Sequence, residues 1–315
     1  MLLYVGRRII AGLILFVVSS FITFLLLSMT FNDIIAARIG PAGATPENIA
    51  AMAAQLGMDR PIIIQYLSWL TNFLLRGDLG TSFFGGLDVM SVIPQRISVT
   101  LSIVLPALTL SAIVAVLLGV WAASRGGWID KVAQGLTLLG NLIPNLLVGI
   151  GLVMLFAIEL DWLPATGFVP MGTSFSGWLR SITIPVITIF VGGAANITNQ
   201  VRGTMIDELR KDYIRTLRTR GVSPRSILLK HALRNAAGPA VTVLGLNFIM
   251  MFGGALIIEQ IFALPGFGTF AFNAATAGDY TVMLGAMSVG VALTVGMNLL
   301  VDIVNGWLNP KARVY

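Results

Sequence analysis

Apolar runs long enough to cross about 30 Å of hydrocarbon alternate along this chain with shorter polar and charged segments. The first, Ile9 to Met29, follows Arg7 and Arg8. A signal-peptide core is only about 7 to 15 residues long, so this longer run predicts a transmembrane helix with its N-terminus inside. The same length and apolarity argue against a twin-arginine signal. Further runs at Val99 to Ala123, Val132 to Ile158, Ser181 to Gln200, Ala237 to Ile258 and Thr281 to Val304 predict five more spans. Pro106 lies in the second span; Gly135, Gly140, Pro144 and Gly149 lie in the third, where such residues permit close packing and bending. The fold class this predicts is an all-α polytopic membrane protein with six transmembrane helices.

Residues 31–98 are too polar to span and too long for a simple connector, and they predict an external helical subdomain. Thr45-Pro46-Glu47 gives a cap, a proline at the first helical position and an early acid, and Gly57 ends that helix. A second helix starts near Pro61. Its Ile64, Leu67, Trp69, Leu70, Phe73 and Leu74 are too apolar for a free surface. The chain thus divides into residues 1–98, the first span with the external subdomain, and residues 99–315, a five-helix core containing a charged loop at 202–235. Ser124 to Lys131 reads as an inner turn and Glu159 to Arg180 as an outer loop, with Trp162 and Trp178 at interfacial positions.

The charged loop breaks the apolar pattern most sharply. It holds Arg202, Arg210, Lys211, Arg215, Arg218, Arg220, Arg225, Lys230 and Arg234. Between Asp207 and Arg220 the apolar Leu209, Tyr213 and Leu217 recur every fourth residue, with Lys211, Arg215 and Arg218 on the other face. This predicts an amphipathic helix. Gly221 follows at a helix-ending position, and Ser223-Pro224 predicts the cap and first residue of a second helix running toward Asn235. On pattern alone, such a loop is either a lever for a partner or a surface attracted to anionic lipid at about 1 kcal/mol per charge.

Composition sharpens this picture. At 56% hydrophobic and 11% charged, the chain departs from the roughly 45–50% apolar and 25% charged of soluble domains. A net charge of +6 raises nucleic acid as a partner, but the bases gather in loops without interleaved aromatic residues, which argues against it. There is no cysteine, and the single histidine, His231, excludes a multi-histidine metal centre. Fifteen bases fall on the inner side of the predicted topology, against Arg38, Arg60, Arg76, Arg96 and Arg180 outside, placing both termini inside. Ion-coupled carriers show carboxylates near the midplane. Here Glu259 and Asp302 fall near opposite ends of their spans, with Asp302 positioned to pair with an inner-face base. No Gly-Lys dipeptide occurs, which excludes a Walker A loop. Asn196, Asn199, Asn247 and Asn298 are candidates for a polar path, although an Asn within a span also serves as interhelical glue.

The run Asp212-Tyr213-Ile214-Arg215-Thr216-Leu217-Arg218-Thr219-Arg220-Gly221, with Ser223-Pro224 and His231-Ala232-Leu233-Arg234-Asn235-Ala236, resembles the EAA loop of bacterial ABC importer permeases. The motif's E-A-A maps to Arg215-Thr216-Leu217, its Gly to Gly221 and its I-x-L-P to His231 through Arg234. The Glu, both Ala, the Ile and the Pro are absent. The dipeptide/oligopeptide branch carries R-T-A and H-A-L-R at those places, leaving Leu217 as the departure. Two other stretches are similar to that branch. One is Leu56-Gly57-Met58-Asp59-Arg60-Pro61 with Gln65-Tyr66 and Gly77-Asp78-Leu79-Gly80-Thr81-Ser82; the other runs from Glu259 to Gly268 as E-x-x-F-x-x-P-G-x-G.

The resemblance implies a type I importer permease, the B-type subunit, in a bacterial cytoplasmic (inner) membrane and working on dipeptides or oligopeptides. It further implies a homologous second permease, two cytoplasmic ABC ATPase subunits or domains carrying ATP and Mg, and an extracytoplasmic solute-binding protein docking near residues 31–98. On that basis this chain holds no cofactor and no catalytic residue. Asp212, Tyr213, Arg215, Thr216, Leu217, Arg218, Gly221 and Ser223 become the expected ATPase-coupling residues. Membrane lipid surrounds the chain on this reading, and the competing expectation is a secondary carrier or channel with a basic cytoplasmic loop, needing no ATPase.

Overall fold

The computed structural model describes residues 2–40, 43–55 and 57–308. Leu56, and Lys311 and Arg313, which are two of the fifteen bases assigned to the inner side, lie outside the described residues. Among the described residues thirteen helices follow in order: α1 Leu2–Ser28, α2 Phe31–Ile39, α3 Pro46–Gln55, α4 Ile62–Arg76, α5 Val89–Arg125, α6 Gly127–Leu142, α7 Asn145–Val153, α8 Phe175–Leu209, α9 Asp212–Thr219, α10 Pro224–Ser226, α11 Leu233–Ile261, α12 Phe267–Ala277 and α13 Tyr280–Leu308. Two π-helical stretches, Met154–Glu159 and Ile227–Ala232, extend α7 and join α10 to α11. Among the described residues the only β feature is an isolated Thr81–Asp88 bridge. Among the described residues five helices are long and apolar enough to cross a membrane, and a sixth crossing is available if one bent pair counts as a span. The all-α, multi-span expectation therefore stands.

Its boundaries shift. The second span is part of a helix that starts at Val89, and the fourth lengthens to Phe175–Leu209. Ser174 caps the latter, its Oγ accepting from the Gly177 N–H at 3.1 Å. The polar residues beyond Gln200 do not end it, because nothing in that stretch breaks a helix. The loop's second helix and the fifth span, expected as separate elements, form one segment, Pro224–Ile261. The third span is not straight: α6 and α7 meet at 92°. Ile143 is extended (φ −81, ψ 118), as a residue preceding proline is driven to be. Pro144 then starts α7.

The chain forms two compact units. One comprises Met1–Arg8, Val99–Leu264 and Met297–Tyr315. Within it α8 packs against α6, α7 and α11. Approach to α6 is close enough that a Cβ at Gly140 would lie 3.0 Å from the Val191 carbonyl oxygen, so any side chain there would push α8 back by a few tenths of an ångström. Glu259, fully buried, accepts from the Thr100 hydroxyl at 2.5 Å. Asp302 pairs with Arg8 at 3.2 Å, a basic partner as expected for it.

The other unit comprises Ile9–Ser98 and Pro265–Gly296. Thr45 Oγ1 accepts from the Asn48 N–H at 3.3 Å, the predicted start of α3. On α4 the buried residue is Tyr66, whose hydroxyl donates to the Val17 carbonyl at 2.9 Å. Trp69, Leu70 and Phe73 are half-buried as expected, whereas Ile64, Leu67 and Leu74 remain exposed. Buried Asp279 caps α13, accepting from the Val282 N–H at 3.3 Å and from the Ser82 hydroxyl at 2.5 Å.

Candidate functional site

The amphipathic helix expected from Asp207 to Arg220 is two pieces. Helix α8 continues to Leu209, Arg210 closes it, and Lys211 is extended (φ −68, ψ 150) before α9 begins at Asp212. Glu208 fixes the break. Its side chain is buried, accepting from Lys211 Nζ at 2.5 Å and from the Tyr213 hydroxyl at 2.8 Å, so both its oxygens bind residues across the turn. The Tyr213 oxygen in turn accepts from Asn235 Nδ2 at 3.1 Å. One carboxylate thereby joins the end of α8, the start of α9 and the start of α11. Burial pushes the Tyr213 phenol up, opposed by the Asn235 donor and reinforced by the Glu208 carboxylate, so the hydroxyl stays protonated and donates. Sequence reasoning missed Glu208. Its spacing of three from Lys211 was the available signal, but neighbouring Asp207 is just as acidic and is exposed.

An eight-residue helix does not persist alone in water. What holds α9 is Ile214, fully buried in a cluster with Met205, Ile227 and Ala232. Burying such a side chain contributes about 1.5–3 kcal/mol. Tyr213 and Leu217, read from the sequence as the centre of the apolar face, are its half-buried rim. The opposite face presents Asp212, Arg215 and Thr216, with Arg218 at the flank beside Ile214, all exposed. Arg215 Nη1 lies 3.9 Å from Asp212 Oδ1, a solvated pair that contributes little.

The end of α9 is sharply made. Gly221 is left-handed (φ +75). Its N–H donates to the Arg218 carbonyl at 3.0 Å, and the Val222 N–H donates to the Leu217 carbonyl at 3.1 Å. These two bonds form a Schellman turn, with Val222 and Leu217 both packed on the Ile214 cluster. A Cβ at Gly221 would meet nothing within 4 Å, so the backbone angle, and no neighbour, asks for glycine. Ser223 then caps the next helix, its Oγ accepting from the Ser226 N–H at 3.4 Å, with Pro224 at the first helical position.

Asp212, Tyr213, Arg215, Thr216, Leu217, Arg218, Gly221 and Ser223 are therefore brought together on one helix and the turn that follows it. The four asparagines are not. Asn196 and Asn199 are exposed on α8 and Asn298 is exposed on α13, whereas Asn247 is buried and its Nδ2 donates to the Val243 carbonyl of its own helix at 2.9 Å. Arg202, counted with the loop's bases, belongs elsewhere. Its Nε and Nη2 both donate to the Asp130 carboxylate, the latter at 2.6 Å, binding α6 to α8. No periodicity links residues so far apart in the chain, so this pair was invisible in the sequence.

Residues 115–314 match the family described as the binding-protein-dependent transport system inner membrane component, and residues 1–104 match the N-terminal membrane component of such systems. A Brucella abortus (strain 2308) protein whose name describes a peptide transport system permease is 37% identical over 308 residues, covering 98% of each chain. A Sinorhizobium fredii protein named as a peptide ABC transporter permease is 33% identical over 98% of this chain and 99% of its own length. The Bacillus subtilis oligopeptide transport system permease protein AppB is 33% identical over 81% of this chain and 82% of its own. With this coverage, and with a multi-span helical body that carries a pinned basic helix between two of its spans, the chain belongs to the family of inner membrane components of binding-protein-dependent transport systems.

Proposed function

We propose that this permease carries short peptides, and that α9 is the surface through which partner ATPases drive it. The peptide cargo follows the names of its relatives. Support for the drive comes from one observation: α9 is pinned on its inner side by Ile214 and Glu208 while Arg215 and Thr216 stand exposed on the other and Arg218 is exposed at its flank. A helix fixed to the spans on one face and open on the other transmits displacement when a partner grips the open face. In this reading Leu217 and Tyr213 carry the load into the core, and Gly221 and Ser223 set the angle at which it enters Pro224–Ile261.

The chain forms half of the translocation pathway, beside a homologous second permease. Two cytoplasmic ATPase subunits or domains bind ATP and Mg, and an extracytoplasmic solute-binding protein delivers cargo. This chain performs no chemistry; it alternates access as the ATPases close. Both termini and α9 lie on the cytoplasmic side. Asn196 and Asn199, exposed together on the most buried of the long helices, line the path with Asn298. The Asn247 side chain is already committed within its own helix.

The double substitution Arg215→Glu/Arg218→Glu tests the drive in the assembled transporter. ATPase copurification should fall by about tenfold or more, since like-charge contacts at an interface cost several kcal/mol. Helical content should not change, because both side chains are exposed and neither is part of the buried cluster around Ile214. Retained ATPase subunits together with wild-type peptide-stimulated hydrolysis would overturn the assignment.

A further inference from the structure

We propose that the chain holds the headgroup of an anionic phospholipid in a cleft between the end of α5 and the turn from α9 into α10. The cleft, of about 690 Å³, is lined by Arg125 at the end of α5, Arg218 on α9 and Arg225 on α10, with Trp121, Leu209 and Leu228 among its apolar walls. That volume lies within the range of small-molecule sites. All three arginines are exposed, and among the described residues none has a carboxylate within ion-pair distance. No acid lines the cleft. Asp130, the acid nearest Arg125 along the chain, pairs with Arg202, and Asp212, the acid nearest Arg218, lies beside Arg215. Three like charges around one cleft repel one another until an anion enters, and the guanidinium fork matches phosphate oxygens two at a time.

The apolar walls identify the source of that phosphate as a lipid. Trp121 is half-exposed in the last turns of a membrane-crossing helix, the position at which tryptophan marks the boundary between hydrocarbon and headgroups. Leu117 and Ile113 lie four and eight residues before it and are also exposed, so the three form one stripe along α5 that leads away from the arginines. An acyl chain attached to a phosphate in the cleft has a surface to follow. A free phosphate has no use for one. The site is separate from the exposed Arg215–Thr216 face of α9, although Arg218 borders both.

The test uses the assembled transporter in detergent, with lipid retention read by native mass spectrometry against equimolar phosphatidylglycerol and phosphatidylcholine. The wild type should retain phosphatidylglycerol preferentially. Arg125→Gln/Arg225→Gln should lower that retention between about tenfold and thirtyfold, for the loss of two charges, while phosphatidylcholine is unaffected. Arg234→Gln, which removes a base outside the cleft, should leave both unchanged. Equal retention of the two lipids by the wild type overturns the proposal without recourse to any variant. Equal loss in Arg234→Gln would reduce it to diffuse charge, and full competition by chain-free glycerophosphoglycerol would replace the lipid with a soluble phosphate. Loss of the ATPase subunits from Arg125→Gln/Arg225→Gln with phosphatidylglycerol still bound would instead assign the cleft to an acidic ATPase surface.

Discussion

At Gly221 the demand of the fold is an angle. The residue sits at φ +75 with open space where a Cβ would be, so a substitution meets no neighbour but must still hold a left-handed backbone, at about 1–3 kcal/mol. That cost depends on the kind of side chain. Asparagine visits the left-handed region readily and β-branched residues scarcely do. Gly221→Asn should therefore keep most peptide-stimulated ATP hydrolysis in a reconstituted complex, and Gly221→Val should lose most of it as the Schellman turn opens. Indistinguishable activities in the two variants would mean that the turn does not set the helix angle. Glu208 makes a contrasting case, in which charge and burial coincide. Its two hydrogen bonds give it a role that neither its residue type nor its place in a basic run announced.

Elements were legible wherever one local rule decided them. Ser223-Pro224 and Gly221 mark a cap and a left-handed turn by chemistry confined to a few residues, and both stand where the sequence placed them. Pro144 signalled a bend, and the extended Ile143 before it explains why the bend became a corner. What the pattern misjudged was decided by packing. The every-fourth-residue stripe of Leu209, Tyr213 and Leu217 passed over Ile214, because a helix this short shows only two turns and its buried side is chosen by what lies beneath it. Here that is Met205, Ile227 and Ala232. The Asp207–Arg220 helix failed for a similar reason, since the break at Arg210 and Lys211 serves a carboxylate whose partners are made by folding. Of the site, the exposed face and its bounding turn could be read in advance. The ties that hold it, Ile214, Glu208 and the Asp130–Arg202 pair, could not.

At the scale of the whole molecule the strongest inference is orientation, drawn from where the bases fall. The chain contains no cysteine, so single cysteines report without background. Thr173 and Thr219 are both exposed and neither caps a helix. Thr173→Cys should react with a membrane-impermeant thiol reagent added outside intact cells, and Thr219→Cys should react only after the membrane is opened. The opposite pattern would invert the topology and move α9 away from any cytoplasmic ATPase.

The π-helical stretch Ile227–Ala232 bears on how the chain tolerates a change in its own length. An α-helical residue advances the helix by about 100°, so losing one residue inside Leu233–Ile261 would rotate everything on one side of the cut by that angle and misalign the Ile214 anchor with the far part of the span. A π turn holds a residue in excess of the α-helical winding around it. Losing one there lets the wide turn relax and leaves the rotational phase intact. Leu229 in the wide turn and Met250 in α11 are both exposed, at 58% and 68%, and form a matched pair. Deleting Leu229 should preserve peptide uptake and deleting Met250 should abolish it; equal failure would show that the turn is no spacer. A preserved uptake would mean that the link between basic helix and membrane span has slack one residue deep, where an unbroken α-helix would lock the two in a single rotational phase.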